Sequence, residues 1–73
     1  MVYDLIKVDI DGQVESLGLF SEKTFAIAAI CEVEEKPIDT YFNVVKGDIA
    51  NNGSYLNDKT QNMYFVVPTE KKC

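Results

Sequence analysis

The sequence predicts a single α+β domain, in which a mainly antiparallel four-stranded sheet carries one helix on one of its faces. Three observations support this fold class. Two runs of β-branched and aliphatic residues flank an Asp-Gly turn, an alanine-rich stretch with helical spacing follows, and two aromatic, valine-rich runs come last. Strand-forming runs on both sides of one helical stretch give the order β-β-α-β-β, for which a sheet packed against a helix is the simplest architecture.

The length and composition are those of one small globular domain over residues 1–73. The chain is 47% apolar and 26% charged, which is typical of folded rather than disordered proteins. A core of this size is near the lower limit of stability, and such chains often add a disulfide, a metal or a second subunit. The only cysteines are Cys31 and Cys73, and there is no histidine, so we expect no cofactor and no metal. We therefore expect a homo-oligomer, most simply a dimer. The free thiols without a leader indicate the cytoplasm.

The first element is a β-hairpin with strands over Val2–Val8 and Val14–Phe20. A two-residue Asp-Gly turn would mix polar and apolar side chains on each face of the hairpin. A type I turn that begins at Asp9 and places Gly12 in the left-handed conformation avoids this mixing, so we favour this bulged turn. Its register pairs Val8 with Val14, Lys7 with Glu15, Leu5 with Leu17 and Tyr3 with Leu19.

A helix over 21–36 is the next predicted element. Ser21 can cap its first free amide groups, and Pro37 ends it. The apolar side chains at helical spacing are Phe25, Ala26, Ala29, Ile30 and Val33. We expect this stripe to pack against the sheet.

The third and fourth predicted strands cover 40–46 and 63–67, and Pro68 ends the last one. Between them, 47–62 is a long polar connection, which leaves open a short helical turn or an extension of the third strand. Long connections in small domains are often functional or mobile. The candidate functional residues of this loop are Asn51, Asn52 and Tyr55.

The strands carry more apolar side chains than one helix can cover. One face of the predicted hairpin carries Val2, Ile6, Val8, Val14 and Phe20. The other carries Tyr3, Leu5, Leu17 and Leu19. Either the connection over 47–62 folds across the second face or another protein covers it, and we favour the protein. The predicted partner-binding side chains of this face are Tyr3, Leu5, Leu17, Leu19, Tyr41 and Tyr64.

The chain is acidic, with a formal net charge of −5 at pH 7. This charge repels the phosphates of nucleic acids and attracts basic protein surfaces. The acidic residues Glu32, Glu34 and Glu35 near the helix end are therefore candidates for partner binding, although a solvated helix face is the simpler explanation, because the acidic residues of the chain are spread rather than clustered. The longest apolar stretch, 25–31, is too short to cross a bilayer, so we expect no membrane partner.

The residues do not predict an enzyme. A chain without histidine has no nucleophile–base pair of the usual kind, and Cys31 fits a packing role on the helix. The spacing of Asp9, Asp11 and Gly12 is similar to the start of a calcium-binding loop, but such a loop is flanked by helices and these residues are flanked by strands. We prefer the turn, because a type I turn with a bulge requires the same residue types.

The stretch 18–23 (Gly-Leu-Phe-Ser-Glu-Lys) runs into an alanine-rich helix after an Asp-Gly hairpin and is followed by an aromatic run. Over about residues 3–46 this pattern resembles small accessory proteins encoded by bacteriophages. The resemblance implies a protein that binds a host protein or complex in the host cytoplasm, such as an inhibitor of CRISPR or restriction systems or a modulator of transcription. It assigns no functional residues.

We therefore expect a non-catalytic protein-binding module that acts by steric blockade. The alternatives are an acidic mimic of nucleic acid, a nucleotide-binding sponge with a pocket between subunits, and a structural subunit of a larger assembly. Mimicry would make binding weaken steeply with salt, whereas an apolar contact would not.

Overall fold

The computed structural model describes residues 1–70. Its elements are β1 (Val2–Val8), β2 (Val14–Phe20), α1 (Lys23–Val33), α2 (Ile38–Asn52), β3 (Ser54–Leu56) and β4 (Met63–Thr69). The strands form one antiparallel sheet in the order β2-β1-β4-β3. The predicted α+β class with a four-stranded antiparallel sheet is confirmed, but the predicted order with a single helix is wrong, because two helices separate the hairpin from the last strands.

The bulged turn between β1 and β2 forms as predicted. The amide of Gly12 donates to the carbonyl of Asp9 at 2.9 Å, and Gly12 has a φ of +82°. The carboxylate of Asp9 accepts hydrogen bonds from the amides of Asp11 and Gln13, both at 2.9 Å. Asp9 therefore stabilises the turn itself, which is the role that turn chemistry assigns to it.

A β-bulge lies in the middle of the hairpin. Ile6 pairs with Ser16, whereas its neighbour Leu5 pairs with Gly18, so Leu17 is an extra residue on β2. Gly18 has a φ of +135°, which a side chain at this position would disfavour. A glycine inside a strand commonly marks such a bulge.

The bulge changes which side chains of β2 share a face. The predicted pairs of Leu5 with Leu17 and of Tyr3 with Leu19 are wrong, because Tyr3 pairs with Phe20 beyond the bulge. The shift by one residue places Phe20 on the same face as Leu5 and sends Leu19 to the opposite face.

Helix α1 is shorter than predicted at both ends. It begins at Lys23 after Glu22, and no side chain caps it, so the predicted capping role of Ser21 is wrong. At its end, the amide of Lys36 donates to the carbonyl of Cys31 at 2.9 Å, and the amide of Glu35 donates to the carbonyl of Glu32 at 3.1 Å. This pair of bonds is a Schellman motif, and it ends the helix before Pro37.

The Schellman motif places Glu35 in the left-handed conformation, with a φ of +55°. A side chain there costs about 1 kcal/mol relative to glycine. We therefore expect Glu35→Gly to raise the free energy of unfolding, measured by urea denaturation, by about 0.5–1 kcal/mol. Glu35→Ala removes the same charge but keeps a Cβ, and it should give no such gain. Equal stability of the two variants would contradict the strain at this position.

The buried side of α1 is rotated relative to the predicted stripe. Its buried residues are Ala26, Ile27, Ile30 and Cys31. Phe25 and Val33, which the prediction placed against the sheet, are exposed. The reason is that α1 contacts α2 as well as β1, β2 and β4, so its buried surface extends toward the second helix.

Helix α2 occupies the region of the predicted third strand, so the prediction of a strand over 40–46 is wrong. Val45 and Ile49, which are four residues apart, are buried, and Phe42 is partly buried against the core cluster to which they belong. Asp39 lies in the first turn, where the helix dipole favours a negative charge. Gly53 ends the helix with a φ of +80°. The connection over 47–62 thus contains the last six residues of α2, then Gly53, β3 and a turn over 57–62.

Strand β4 continues through Pro68 to Thr69, so the prediction that Pro68 ends the strand is wrong. β3 pairs with β4 only over 63–65, and Pro68 lies beyond it. Proline is tolerated there because it does not have to donate a hydrogen bond to a strand on that side.

Both helices pack on one face of the sheet. The core cluster contains Leu5, Ala26, Ile27, Ile30, Cys31, Val45, Ile49, Tyr55, Tyr64 and Val66. The sheet residues of this cluster point to the same side, which we call the inner face. The opposite side, called the outer face below, carries neither helix.

Candidate functional site

The outer face is the side of the sheet that neither helix covers. Successive side chains of a strand point to opposite faces of the sheet, so the observed register shows which side chains belong to the outer face. They are Val2, Asp4, Ile6, Val8, Val14, Ser16, Leu19, Ser54, Leu56, Met63, Phe65, Val67 and Thr69.

One row of apolar side chains crosses all four strands of this face. Val14 pairs with Val8, Val8 with Met63, and Met63 with Leu56. Val14 and Leu56 at the two ends are exposed, and the two central residues are half-buried. The next row carries Ile6 and Phe65 at its centre. These rows form a continuous apolar surface.

A single charged side chain interrupts this surface. Asp4 on the central strand β1 lies between its cross-strand partners Leu19 and Val67. Its carboxylate accepts a hydrogen bond from the hydroxyl of Ser16 at 2.6 Å. No other outer-face residue, within the part of the chain that the structure describes, is an acid or a base.

The residues predicted to bind a partner through the sheet lie mostly on the other side. Leu5 and Tyr64 are fully buried beneath the helices, and Tyr3 and Leu17 pack against the same core. Only Leu19 belongs to the outer face. The prediction that these side chains are free for a partner is therefore wrong for the buried pair, because the helices cover the face to which they belong.

Tyr41 also lies away from the outer face, on the first turn of α2. Its ring contacts the ammonium group of Lys36, which lies 5.2 Å from the ring centroid. This cation–π contact joins the first turn of α2 to the segment between α1 and α2.

The three predicted acidic residues at the end of α1 differ in their surroundings. Glu32 and Glu35 are exposed, whereas Glu34 is half-buried and points toward the turn over 57–62. Its carboxylate accepts hydrogen bonds from the side chains of Asn57, Thr60, Asn62 and Tyr64. We call this arrangement the Glu34 cluster. Glu34 has a structural role here, and it is not free to form ion pairs with a partner.

The Glu34 cluster joins elements that are far apart in the sequence. The side-chain nitrogen Nδ2 of Asn62 lies 3.2 Å from the Glu34 carboxylate, and the hydroxyl oxygen of Thr60 lies 3.3 Å from the same carboxylate. Asn57 is buried, and its side-chain oxygen also accepts from the backbone amide of Lys59 at 2.9 Å. The cluster thus fixes the turn before β4 against the end of α1.

Hydrogen bonding changes the ionisation of this cluster. Burial raises the pKa of Glu34, but the hydrogen bonds from Tyr64, Asn62, Asn57 and Thr60 outweigh burial, so this pKa lies below its ordinary value. Burial, together with the hydrogen bond that it donates to Glu34, raises the pKa of Tyr64 well above its ordinary value. The pair is therefore an ionised carboxylate and a neutral phenol at neutral pH.

The loop residues predicted to be functional belong to regular elements. Asn51 and Asn52 form the exposed end of α2, where Gly53 follows. Tyr55 on β3 is buried, with its ring centroid 6.3 Å from that of Tyr64. Tyr55 therefore belongs to the core and is not available to a partner.

The thiol of Cys31 is the one cysteine nucleophile among the described residues. Cys31 is buried, and burial raises the pKa of its thiol, which disfavours the nucleophilic thiolate. Cys73 lies outside the described residues. Within residues 1–70, no group of three or more histidine, cysteine, aspartate or glutamate side chains could hold a metal ion.

Comparisons of the chain with protein-family models, with curated proteins and with solved structures found no match. Among residues 1–70, neither helix combines the length and the apolar character that a membrane span requires.

Proposed function

We propose that this chain is a non-catalytic protein-binding module that docks its outer face onto another protein. The observation that carries the proposal is the apolar row from Val14 through Val8 and Met63 to Leu56, which crosses the whole sheet without a covering helix. Contiguous apolar surfaces of this kind on small proteins are typical of interaction sites.

The size of the outer face indicates the kind of complex it supports. Three strands have seven residues and β3 has three. With strands about 4.8 Å apart and a rise of about 3.3 Å per residue, the face covers roughly 400 Å². This is about half of the roughly 800 Å² that each partner contributes to a standard interface. We therefore expect either a transient complex or one in which the partner also contacts the rim of the sheet.

The edges of the sheet are less suitable than the face for adding a strand from a partner. On one edge, β2 carries the bulge at Leu17 and Gly18, which bends the strand. On the other side, β3 has only three residues, and Pro68 lies beyond its end. Bulges, short strands and proline are the features that discourage pairing at a sheet edge.

A different protein fits this face better than a second copy does. Each copy has a formal net charge of −5, so two copies repel each other, whereas a basic surface is attracted. The more specific role, a bacteriophage-encoded inhibitor that blocks a host enzyme sterically, is the form of this proposal that the sequence resemblance supports.

Two matched valine variants test the proposal by affinity capture from bacterial lysate. Val67 lies on the outer face with 44% of its surface exposed, and Val44 lies on α2 with 49% exposed. We expect at least one protein to be retained by the wild-type chain and by Val44→Glu but lost with Val67→Glu. Light scattering of the same three proteins reports the oligomeric state.

Retention of the same proteins by all three chains would contradict docking through the outer face. A wild-type dimer that Val67→Glu converts to a monomer, with no captured protein that depends on Val67, would assign the face to a second copy instead. Circular dichroism of both variants shows whether the added charge has left the fold intact.

A further inference from the structure

We infer that the partner of the outer face carries a basic group, a lysine or arginine side chain, at the centre of an apolar patch, where it pairs with Asp4. This inference rests on the proposed docking function and adds the chemistry of the partner. It follows from the position of one carboxylate on an otherwise uncharged face.

The position of Asp4 ensures that a partner which covers the face also covers this carboxylate. Asp4 lies on β1, a central strand, with Leu19 beside it on β2 and Val67 beside it on β4. It is already half-buried in the isolated chain. A partner that contacts both neighbours must remove water from Asp4.

The chain itself satisfies only part of the hydrogen-bonding capacity of this carboxylate. The hydroxyl of Ser16 donates one bond at 2.6 Å. A carboxylate has about four acceptor positions on its two oxygens. Removing water from the others is costly unless the partner supplies donors, and a cation also compensates the charge.

The lysines of residues 1–70 do not lie on the outer face. Lys7 lies two residues from Leu5 on β1 and therefore belongs to the inner face, and its cross-strand partner is Glu15. The others lie on α1, after α1, on α2 and in the turn over 57–62, at Lys23, Lys36, Lys46 and Lys59. If the outer faces of two copies met, the described side chains over Asp4 would be apolar, hydroxyl-bearing or acidic, and none would be basic. A basic group on a different protein is therefore the better complement to Asp4.

Two helical peptides of identical composition test this inference. Each has 18 residues and an apolar stripe of leucine and alanine. In one isomer a single lysine replaces the central leucine of the stripe, and in the other that lysine and leucine exchange places, so that the lysine lies on the polar side. Because the net charge is the same, general attraction to the acidic chain is matched.

We expect the wild-type chain to bind the isomer with the central lysine about tenfold more tightly by fluorescence anisotropy, because a desolvated charge pair forms only there. Asp4→Asn, which keeps the size of the side chain, should reduce this preference to less than about twofold. Thermal unfolding of Asp4→Asn shows that the variant is folded.

The remaining outcomes separate this inference from the docking function. If both isomers bind wild type equally, and Val67→Glu abolishes the binding of both, the outer face is a docking surface but Asp4 does not select a basic group. If the preference is the same in wild type and Asp4→Asn, or if neither isomer binds, the inference is overturned. Binding that Val67→Glu does not weaken while Val44→Glu does would overturn the docking surface as well.

Discussion

Replacing Leu5 by alanine is expected to destabilise the fold by about 2–5 kcal/mol, whereas the same replacement at Leu19 should cost less than about 1 kcal/mol. Leu5 is 0% exposed at the centre of the inner face, where both helices contribute to its surroundings. Leu19 is 40% exposed on the outer face. The difference follows from the cavity that only the buried truncation leaves behind.

The two leucines are a matched pair because they have the same side chain and lie on adjacent strands. Urea denaturation of both variants, with the midpoint and slope compared with those of wild type, measures the two free energies of unfolding. Equal losses at Leu5 and Leu19 would mean that the helices do not lie on the inner face alone. A larger loss at Leu19 would mean that the two faces of the sheet are the reverse of those described.

The face assignment is also the main point at which reasoning from the sequence fails. The bounds of β1 and β2 and the bulged turn are all predicted, because Asp9 and Gly12 are local signals of turn geometry. The bulge at Leu17 has a weaker signal, a glycine inside a strand. One extra residue moves each following side chain of β2 to the opposite face of the sheet, so the bulge alone places Leu19 on the outer face.

The missing helix has a different cause. A run of tyrosine, phenylalanine and valine has strong strand propensity, and over seven residues its periodicity does not separate a strand from a buried helix. The deciding signals lie further along the chain. Ile49 continues the spacing of Val45, and Gly53 supplies the end of the helix. Tertiary packing against α1 then outweighs local propensity.

The candidate surface is predictable only in outline. An excess of apolar strand residues over what helices can cover is visible in the sequence, and the structure has an uncovered face. Which side chains form that face depends on the bulge and on the second helix. The Glu34 cluster has no local signal at all, because its donors lie 23 to 30 residues further along the chain.

Removing the charge of Glu34 is the second change from which we expect a large effect. Glu34→Gln replaces an acceptor of four side-chain hydrogen bonds by an amide whose nitrogen faces donors. Asn57 and Thr60 donate to one oxygen of the carboxylate, and Asn62 and Tyr64 donate to the other, so the amide nitrogen of Gln removes the acceptor of one of these two pairs. Because buried donors without partners are costly, we expect a loss of about 2–4 kcal/mol in the free energy of unfolding. Glu35→Gln is the matched control, since Glu35 is exposed one residue away, and it should change stability by less than about 0.5 kcal/mol.

The same carboxylate should make stability depend on pH. The pKa of Glu34 in the folded chain lies below its ordinary value, so the unfolded chain binds a proton more readily. The stabilisation is therefore fully present above the ordinary glutamate pKa of about 4.3 and is lost as the pH falls through the lower pKa of the folded chain.

Urea denaturation at pH 7 and at pH 3 measures this dependence for wild type and for both variants. We expect the difference in stability between wild type and Glu34→Gln to shrink at pH 3, because pH 3 lies below the ordinary glutamate pKa and the unfolded wild-type chain then binds the proton more readily than the folded chain does. The difference between wild type and Glu35→Gln should stay small at both values. If the Glu34→Gln loss is the same at pH 3 as at pH 7, then the ionised carboxylate is not what fixes the turn over 57–62 against α1, and the loss reflects only the changed shape and packing of the side chain.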